Sequence, residues 1–302
     1  MENLPHTLSY VCLPRGGGGT TQFCTFSLYF YRIMPPWNLA TTNYGVIKEQ
    51  QFEVAVLPIG ATEPHNLHLP YSTDTLCTTR IAERICQTAW NRGAKVVLLP
   101  TIPYGTQTNQ REFPLALNVN PSTMNQLLVD LIESLAYRNI RKIVLLNGHG
   151  GNEFKSFLRE SYGKIEAKIF ACDWFRCFND KNKEIFDEPD DHAGEMETSL
   201  VLALAPELVV QDEQGRLLAD DGAVQSTRFE AVNRGWVSVA RPWHLLTSNT
   251  GSGNPHKATA VKGERVLELV VERLSQFLVE LAASPLDETF PFGKVLSNGR
   301  TE

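Results

Sequence analysis

The feature that most constrains the fold is a regular alternation, from residue 50 onward, of short apolar runs with longer helical patterns. Runs that are apolar at nearly every position, without a polar alternation, are typical of strands in a parallel sheet with helices on both faces. The alternation therefore predicts an α/β fold built from right-handed βαβ units. The apolar runs occupy residues 54–59, 95–99, 142–146 and 167–171. The helical patterns occupy residues 75–91, 121–138, 152–163, 194–204 and 258–283.

Composition and charge exclude several classes of protein. Of the 302 residues, 42% are hydrophobic and 21% are charged, which is ordinary for a globular chain and argues against global disorder. The formal net charge is −6, and no block of Lys and Arg is present, so we expect no nucleic-acid partner. The longest apolar stretch, Phe23 to Met34, is too short to span a bilayer and contains Arg32, so we expect no membrane partner.

Residues 1–33 differ in character from the rest of the chain. The run from Gly16 to Gly19 is typical of a flexible linker, and no secretory leader is recognisable. We therefore expect an N-terminal extension over 1–33, either flexible or an artefact of the assigned start, and one catalytic domain over 34–302. Six cysteines without a C-x-x-C pair or a zinc-finger spacing indicate a reducing compartment, which predicts a cytoplasmic protein.

Chemically capable side chains follow the predicted strands at the places where each strand ends. Glu63 and His65 follow the first strand, and Pro64 between them favours an extended backbone in which residues two apart point to the same side. Asp74 comes just before a predicted helix, and His149 follows the third strand in a turn of three glycines. Because the carboxyl ends of parallel strands share one sheet edge, we expect these side chains to meet.

A mixed set of carboxylates and imidazoles suits Zn²⁺, Mn²⁺ or Fe²⁺, and an aspartate can bridge two ions. The set Glu63, His65, Asp74 and His149 therefore predicts a divalent metal centre. Each residue alone has a plainer explanation: the acids as helix caps or surface carboxylates, and His149 as a turn residue bonded to backbone. Four of the seven histidines fall in three such clusters, and that concentration favours the metal.

The third cluster, Asp191 to Ser199, opens a predicted helix and supplies His192, Glu195 and Glu197. Residues two apart on a helix point in nearly opposite directions, so only one of the two glutamates can readily face the metals. The alternative is a capped amphipathic helix with both glutamates in solvent.

Four segments together make the chain resemble the creatininase (creatinine amidohydrolase) family. They are PIGATEPHNLHLPYSTD at 58–74, NGHGGN at 147–152, HAGEMETS at 192–199 and TGSGNPHKATAVKGE at 250–264, in the family's order. The resemblance implies a three-layer α/β/α fold with a mostly parallel sheet, a dinuclear divalent metal centre, hydrolysis of a cyclic or linear amide C–N bond, and a homo-oligomer, hexameric in the best-known case.

The resemblance also assigns roles to residues. Glu63, His65, Asp74 and His149 fall on metal-ligand positions, with Asp74 bridging. His192 falls on a histidine of proton transfer, and Glu197 falls on the glutamate of the E-T-S motif, which makes it a further metal ligand and a catalytic residue.

One position departs from the family pattern. Creatininase proper resembles G-H-Y-E-N at the third strand end, whereas Gly151 stands here in place of its glutamate. Either Glu197 or Glu195 then supplies the missing carboxylate, or the second ion binds more weakly. This departure predicts weak or absent activity on creatinine and a substrate that is another small amide, a formamide or a lactam.

The combined evidence predicts a cytoplasmic, metal-dependent amidohydrolase in which metal-activated water attacks a small-molecule amide and His192 protonates the departing nitrogen. Two alternatives stay open at this point. One is a hydrolase or isomerase of a sugar-derived or cofactor-precursor carbonyl compound, and the other is a non-catalytic scaffold with the same fold.

Overall fold

The computed structural model describes residues 34–188 and 190–292. The predicted extension, residues 1–33, lies outside the described residues, so the division of the chain at residue 34 stays a prediction.

The centre of the fold is a four-stranded parallel sheet with the strand order β2-β1-β3-β4. Each predicted apolar run became one strand. The central pair, β1 and β3, is in register from Val54 opposite Lys142 to Ile59 opposite Asn147. Their carboxyl ends therefore stop side by side at one edge. The strands of this sheet are β1 (Val54–Ile59), β2 (Val96–Leu98), β3 (Lys142–Asn147) and β4 (Lys168–Asp173).

Five longer helices connect and cover the strands. The longest is also the last along the described chain, and its N-cap is Thr259, whose hydroxyl accepts the Lys262 N–H. The longer helices are α2 (Thr73–Asn91), α3 (Pro121–Tyr137), α4 (Lys155–Ser161), α6 (Glu195–Leu204) and α9 (Ala260–Ala283). The single-turn helices among the described residues are α1 (Tyr44–Ile47), α5 (Asn182–Ile185), α7 (Glu230–Asn233) and α8 (Trp243–Leu246).

Two hydrophobic cores, one on each face of the sheet, give the fold its three layers. Alternate residues of β1 point to opposite faces, so Val54 packs with α2, α6 and α9, while Leu57 packs with α3 and α4. All six residues of β1 are buried, which explains why the run is apolar throughout. The predicted α/β/α fold with a mostly parallel sheet is confirmed.

A second, smaller sheet was not predicted. β5 (Asp190–His192) pairs antiparallel with β6 (Ser252–Gly253), and the pairing joins two of the four motifs that are far apart in sequence. Strands of two or three residues carry too little pattern to be recognised in a sequence. This small sheet places His192 beside the main sheet edge. None of the described helices is long and apolar enough to cross a membrane.

Candidate metal centre

The side chains predicted to meet do meet, at the carboxyl ends of β1 and β3. Glu63 and His65 leave the end of β1 along the extended segment that Pro64 holds, and both are fully buried. Asp74 lies in the first turn of α2, which begins two residues earlier than predicted. His149 follows β3. Glu63 and His149 are far apart in sequence, but they meet in space because parallel strands end at a common edge.

His149 reaches both carboxylates with one ring nitrogen. Its Nδ1 lies 2.9 Å from Glu63 Oε1 and 2.9 Å from Asp74 Oδ2. Its other nitrogen, Nε2, lies 3.1 Å from the carbonyl oxygen of Thr106, to which it donates. The backbone therefore fixes which nitrogen of His149 faces the carboxylates.

His65 is held in the same way. Its Nδ1 donates to the carbonyl oxygen of Glu63 at 3.0 Å. Its Nε2 then faces Asp74 Oδ1 at 3.2 Å and Glu197 Oε2 at 3.8 Å. Asp74 therefore stands between the two histidines, with one oxygen toward each of them.

His192 completes the cluster from the small sheet. Its Nε2 donates to the carbonyl oxygen of Pro64 at 2.9 Å, and its Nδ1 lies 3.8 Å from Glu63 Oε1. Its ring lies between two others, 4.2 Å from the centroid of His65 and 5.0 Å from that of Trp243. His192 thus presents a free nitrogen at the edge of the carboxylate cluster.

These contacts are what a divalent ion requires of its ligands. In each of the three histidines, one ring nitrogen donates to a backbone carbonyl. The other nitrogen of a neutral ring is then unprotonated and faces carboxylate oxygens. Such an arrangement is stable when a cation lies between the nitrogen and the oxygens. Oδ2 of Asp74 is buried, and as long as the His149 ring is neutral it has no hydrogen-bond donor among the described residues. Three overlapping sets have ligand atoms within 4.8 Å of one another: Glu63, Asp74 and His149; His65, Asp74 and Glu197; Glu63, His65 and His192.

The electrostatics of the metal-free cluster point the same way. Burial by itself lowers the pKa of His65, but the nearby carboxylates, Asp74 first, outweigh it and raise that pKa to about 10. The pKa of His149 is likewise raised, since Glu63 and Asp74 outweigh the effect of burial. Burial raises the pKa of Asp74, yet His65 and His149 hold it well below its usual range. The cluster is therefore built to surround positive charge.

The two glutamates of the third cluster, Glu195 and Glu197, point in different directions. Glu197 faces the cluster, where Ala193 donates its backbone N–H to Glu197 Oε2 at 2.5 Å and burial raises the pKa of its carboxyl group. Glu195 points away and is fully buried against Lys262, its ion-pair partner. Its other oxygen accepts the N–H of Glu188 at 2.8 Å. Of the two alternatives for the extra carboxylate, the structure brings Glu197 to the histidines.

Sequence reasoning missed the residues that hold the cluster in place. Gln110 donates to Glu63 Oε2 at 2.5 Å from the turn Thr108–Gln110. Asn147 ends β3 and contacts both the N–H and the carbonyl oxygen of His149, at 3.2 and 2.9 Å. Asn147 opens the NGHGGN motif, which marks the segment but not the role of its first residue, whereas no signal in the sequence distinguishes Gln110 from an ordinary loop amide.

Residues 40–278 match a family model, Creatininase, whose description is creatinine amidohydrolase. The chain belongs to the creatininase family. A mycofactocin precursor peptide peptidase from Mycobacterium ulcerans is 30% identical over 227 residues, which are 72% of this chain and 81% of the relative. A 3-dehydro-scyllo-inosose hydrolase from Thermotoga maritima is 27% identical over 260 residues, 82% of this chain and 81% of the relative. The crystal structure of a candidate creatinine amidohydrolase from Bacteroides fragilis is 37% identical, with a TM-score of 0.77 and coverage of 84% of this chain and 100% of that one.

Membership of the creatininase family confirms the family and fold predicted from the motifs. It also confirms the predicted class of enzyme, a metal-dependent amidohydrolase that acts on C–N bonds. The roles of the individual residues, the identity and number of the ions and the substrate are finer statements that the family match leaves open.

The glycine that departs from the creatininase pattern has a structural reason here. A Cβ added at Gly151 would lie 2.2 Å from the carbonyl oxygen of Thr106 and 2.4 Å from His149 Nε2. Any side chain at this position therefore displaces the hydrogen bond that orients His149. A Cβ at Gly148 would meet Thr78 Oγ1 at 1.6 Å, so the first glycine of the turn is also required by close packing.

Proposed function

We propose that this amidohydrolase uses two divalent ions, Zn²⁺, Mn²⁺ or Fe²⁺, to hydrolyse the C–N bond of a small-molecule amide. The observation that carries the proposal is the shared orientation of the three histidines. Each donates one ring N–H to a backbone carbonyl and turns its other nitrogen toward Glu63, Asp74 or Glu197.

The described side chains divide into two ligand sets that share one residue. Glu63, Asp74 and His149 would hold one ion, and His65, Asp74 and Glu197 would hold the other, with Asp74 common to both. When bound, such ions act as Lewis acids and lower the pKa of coordinated water toward neutrality.

His192 is suited to moving a proton rather than to holding an ion. Its Nε2 is committed to the carbonyl oxygen of Pro64, so the protonation of Nδ1 can change without loss of that contact. Nδ1 lies 3.8 Å from Glu63 Oε1, beside the cluster but farther from it than the 2.9 Å of His149. We assign to His192 the delivery of a proton to the departing nitrogen.

The His192→Asn variant is expected to keep its metal and to lose turnover by about 10²–10⁴-fold, the usual contribution of a positioned acid or base. Metal content by elemental analysis and turnover on the same preparation check this. His244→Asn is the control, since His244 is exposed on α8. A His192→Asn protein that loses metal in proportion to activity would instead make His192 a ligand, through the set it forms with Glu63 and His65.

Stability of the metal-free protein is expected to fall as the pH rises. The pKa of His65 is raised from 6.5 to about 10, so its contribution to the free energy of unfolding is complete below about 6.5 and is lost as the pH rises through about 10. Bound ions replace the protons, so the free energy of unfolding of the metal-loaded protein should decrease less over the same pH range. Urea unfolding of chelated and metal-loaded protein between pH 6 and pH 10 checks this; a chelated protein whose midpoint stays constant over that range contradicts it.

A metal titration separates the enzyme from the scaffold considered above. A scaffold need not hold stoichiometric divalent metal, whereas the proposed centre should take up one or two ions per chain. With the metal-loaded protein, a screen of creatinine, formamides and lactams then addresses the substrate, and weak or absent activity on creatinine remains our prediction.

A carbonyl substrate is the second candidate function. The Thermotoga relative is a hydrolase of 3-dehydro-scyllo-inosose, and its similarity covers 82% of this chain. Sugar-derived ketones therefore belong in the same screen. Turnover of such a ketone without turnover of any amide would favour this candidate.

The compartment, the oligomeric state and the partners of the enzyme are also part of the proposed function. We propose a cytoplasmic homo-oligomer, a hexamer by the family resemblance, that takes small molecules and neither nucleic acid nor membrane as partners. The cysteines of the described chain are free thiols, in keeping with a reducing compartment: Cys77, Cys86, Cys172 and Cys177. Sedimentation velocity checks the oligomeric state.

A further inference from the structure

Two of the buried polar atoms that have no hydrogen-bond partner within the described part of the chain belong to residues that contact the cluster. They are Oε1 of Gln110 and Nε1 of Trp243, whose residues are 3% and 7% exposed. A buried polar group without a partner costs about 1–3 kcal/mol, so such groups are uncommon and call for a ligand or water. Both lie on segments whose sequence carries no recognisable motif.

The orientation of Gln110 is set by the cluster itself. A carboxylate can only accept, so the group that Gln110 places 2.5 Å from Glu63 Oε2 has to be its N–H donor. The acceptor Oε1 therefore faces away from Glu63. If Gln110 served only to hold Glu63, its Oε1 would be expected to accept a hydrogen bond from another part of the protein. No described residue donates to it.

Trp243 contacts the cluster from α8, a part of the chain far from Gln110 in sequence. It opens α8, and its ring meets that of His192 edge-on, with the centroids 5.0 Å apart and the planes at 87°. α8 also packs on the turn Thr108–Gln110. Trp243 and Gln110 therefore lie on elements that pack against each other, Trp243 in contact with His192 and Gln110 in contact with Glu63.

We propose that Trp243 determines substrate specificity by donating its indole N–H to an acceptor on the substrate, while Gln110 Oε1 accepts from a substrate N–H. This inference rests on the proposed function and deepens it. It specifies a substrate that carries a hydrogen-bond acceptor and an N–H close to the reacting bond, as amides and ureido compounds do, and disfavours fully N-substituted amides.

The test uses the full-length, metal-loaded protein and acetohydroxamate, a small amide analogue with a carbonyl oxygen and an N–H. The Trp243→Phe variant removes the indole N–H and retains an aromatic ring against His192. We expect its Kd for acetohydroxamate, measured by calorimetry, to rise about tenfold, the effect of one lost hydrogen bond. The matched control is Trp37→Phe, because Trp37 is equally buried at 7% exposure and lies in the hydrophobic core.

A spectroscopic measurement gives a second readout. The chain has five tryptophans, so protein labelled with ¹⁵N-tryptophan has five indole N–H signals, and the one absent from Trp243→Phe belongs to Trp243. That signal should move downfield when acetohydroxamate is added, as expected for an N–H that gains an acceptor. The ligand N-methylacetohydroxamate, which lacks the N–H, should bind about tenfold more weakly to wild-type protein and to Trp243→Phe alike, because Gln110 Oε1 loses its donor in both.

The possible outcomes separate a failure of this inference from a failure of the proposed metal centre. Protein that takes up no divalent metal contradicts both. Protein that takes up metal and binds acetohydroxamate with the same Kd before and after Trp243→Phe, with an unmoved Trp243 signal, overturns the role of Trp243 and leaves the metal centre standing. Equal binding of the two hydroxamates overturns the role of Gln110.

Discussion

Asp74→Asn is expected to abolish metal binding at both positions of the centre and to reduce turnover by more than about a hundredfold. Asp74 places Oδ1 3.2 Å from His65 Nε2 and Oδ2 2.9 Å from His149 Nδ1, so it is the residue common to both ligand sets. An asparagine has one oxygen and no charge, and it cannot serve two cations. Loss of a group that only supports a ligand already costs about 10–100-fold, so loss of the shared ligand should cost more.

Elemental analysis and turnover of the Asp74→Asn protein check this expectation, with Asp130→Asn as the control because Asp130 is exposed on α3. Removal of a buried anion between two histidines also lowers the pKa of both, so circular dichroism should first show that the variant is folded. A folded Asp74→Asn protein that binds two ions per chain as tightly as wild type contradicts the bridging role.

The paired variants Glu197→Gln and Glu195→Gln are expected to have opposite effects. Glu197→Gln should lower metal occupancy with little change in stability, because its carboxylate faces His65 at 3.8 Å. Glu195→Gln should retain metal and lose stability, because it breaks the ion pair with Lys262, and loss of one partner of a buried pair costs up to about 3–5 kcal/mol. The true cost should lie toward the lower end, since Lys262 is 21% exposed and keeps its contact with Asp187.

Metal stoichiometry and urea unfolding of both variants decide the assignment. The pair is its own control, since the same substitution is made two residues apart on the same helix, α6. Loss of metal from Glu195→Gln alone would reverse the roles of the two glutamates. Equal loss from both would indicate that the helix, rather than either carboxylate, maintains the centre.

Much of the fold could be predicted because its signals are local. The run Val54–Ile59 is apolar throughout, since both of its faces are covered, and that pattern specifies a buried parallel strand. Helix boundaries were less accurate: the pattern at 152–163 became the shorter α4, Lys155–Ser161. The ends of helices depend on capping contacts, which add little to a hydrophobic pattern.

The metal centre was predictable where strand ends and motifs coincide. Glu63 and His65 are two apart on an extended segment, so their common direction follows from backbone geometry alone. The choice between Glu195 and Glu197 was different. A helix sends the two in opposite directions, and helical spacing alone does not say which of them faces the site. The family motif favoured Glu197, whose carboxylate faces His65 in the structure.

The sequence by itself therefore determined the α/β class, the strand ends that carry Glu63 and His149, and the chemistry of a cation site, because each follows from neighbours along the chain. The tertiary structure turns Glu197 rather than Glu195 toward the histidines, as the family motif had favoured, and it alone decided that Gly151 cannot bear a side chain and that Trp243 comes to lie against His192. These features arise between residues as far apart in sequence as His65 and Glu197, and the contacts that produce them form only when the sheet, α6 and α8 are packed together.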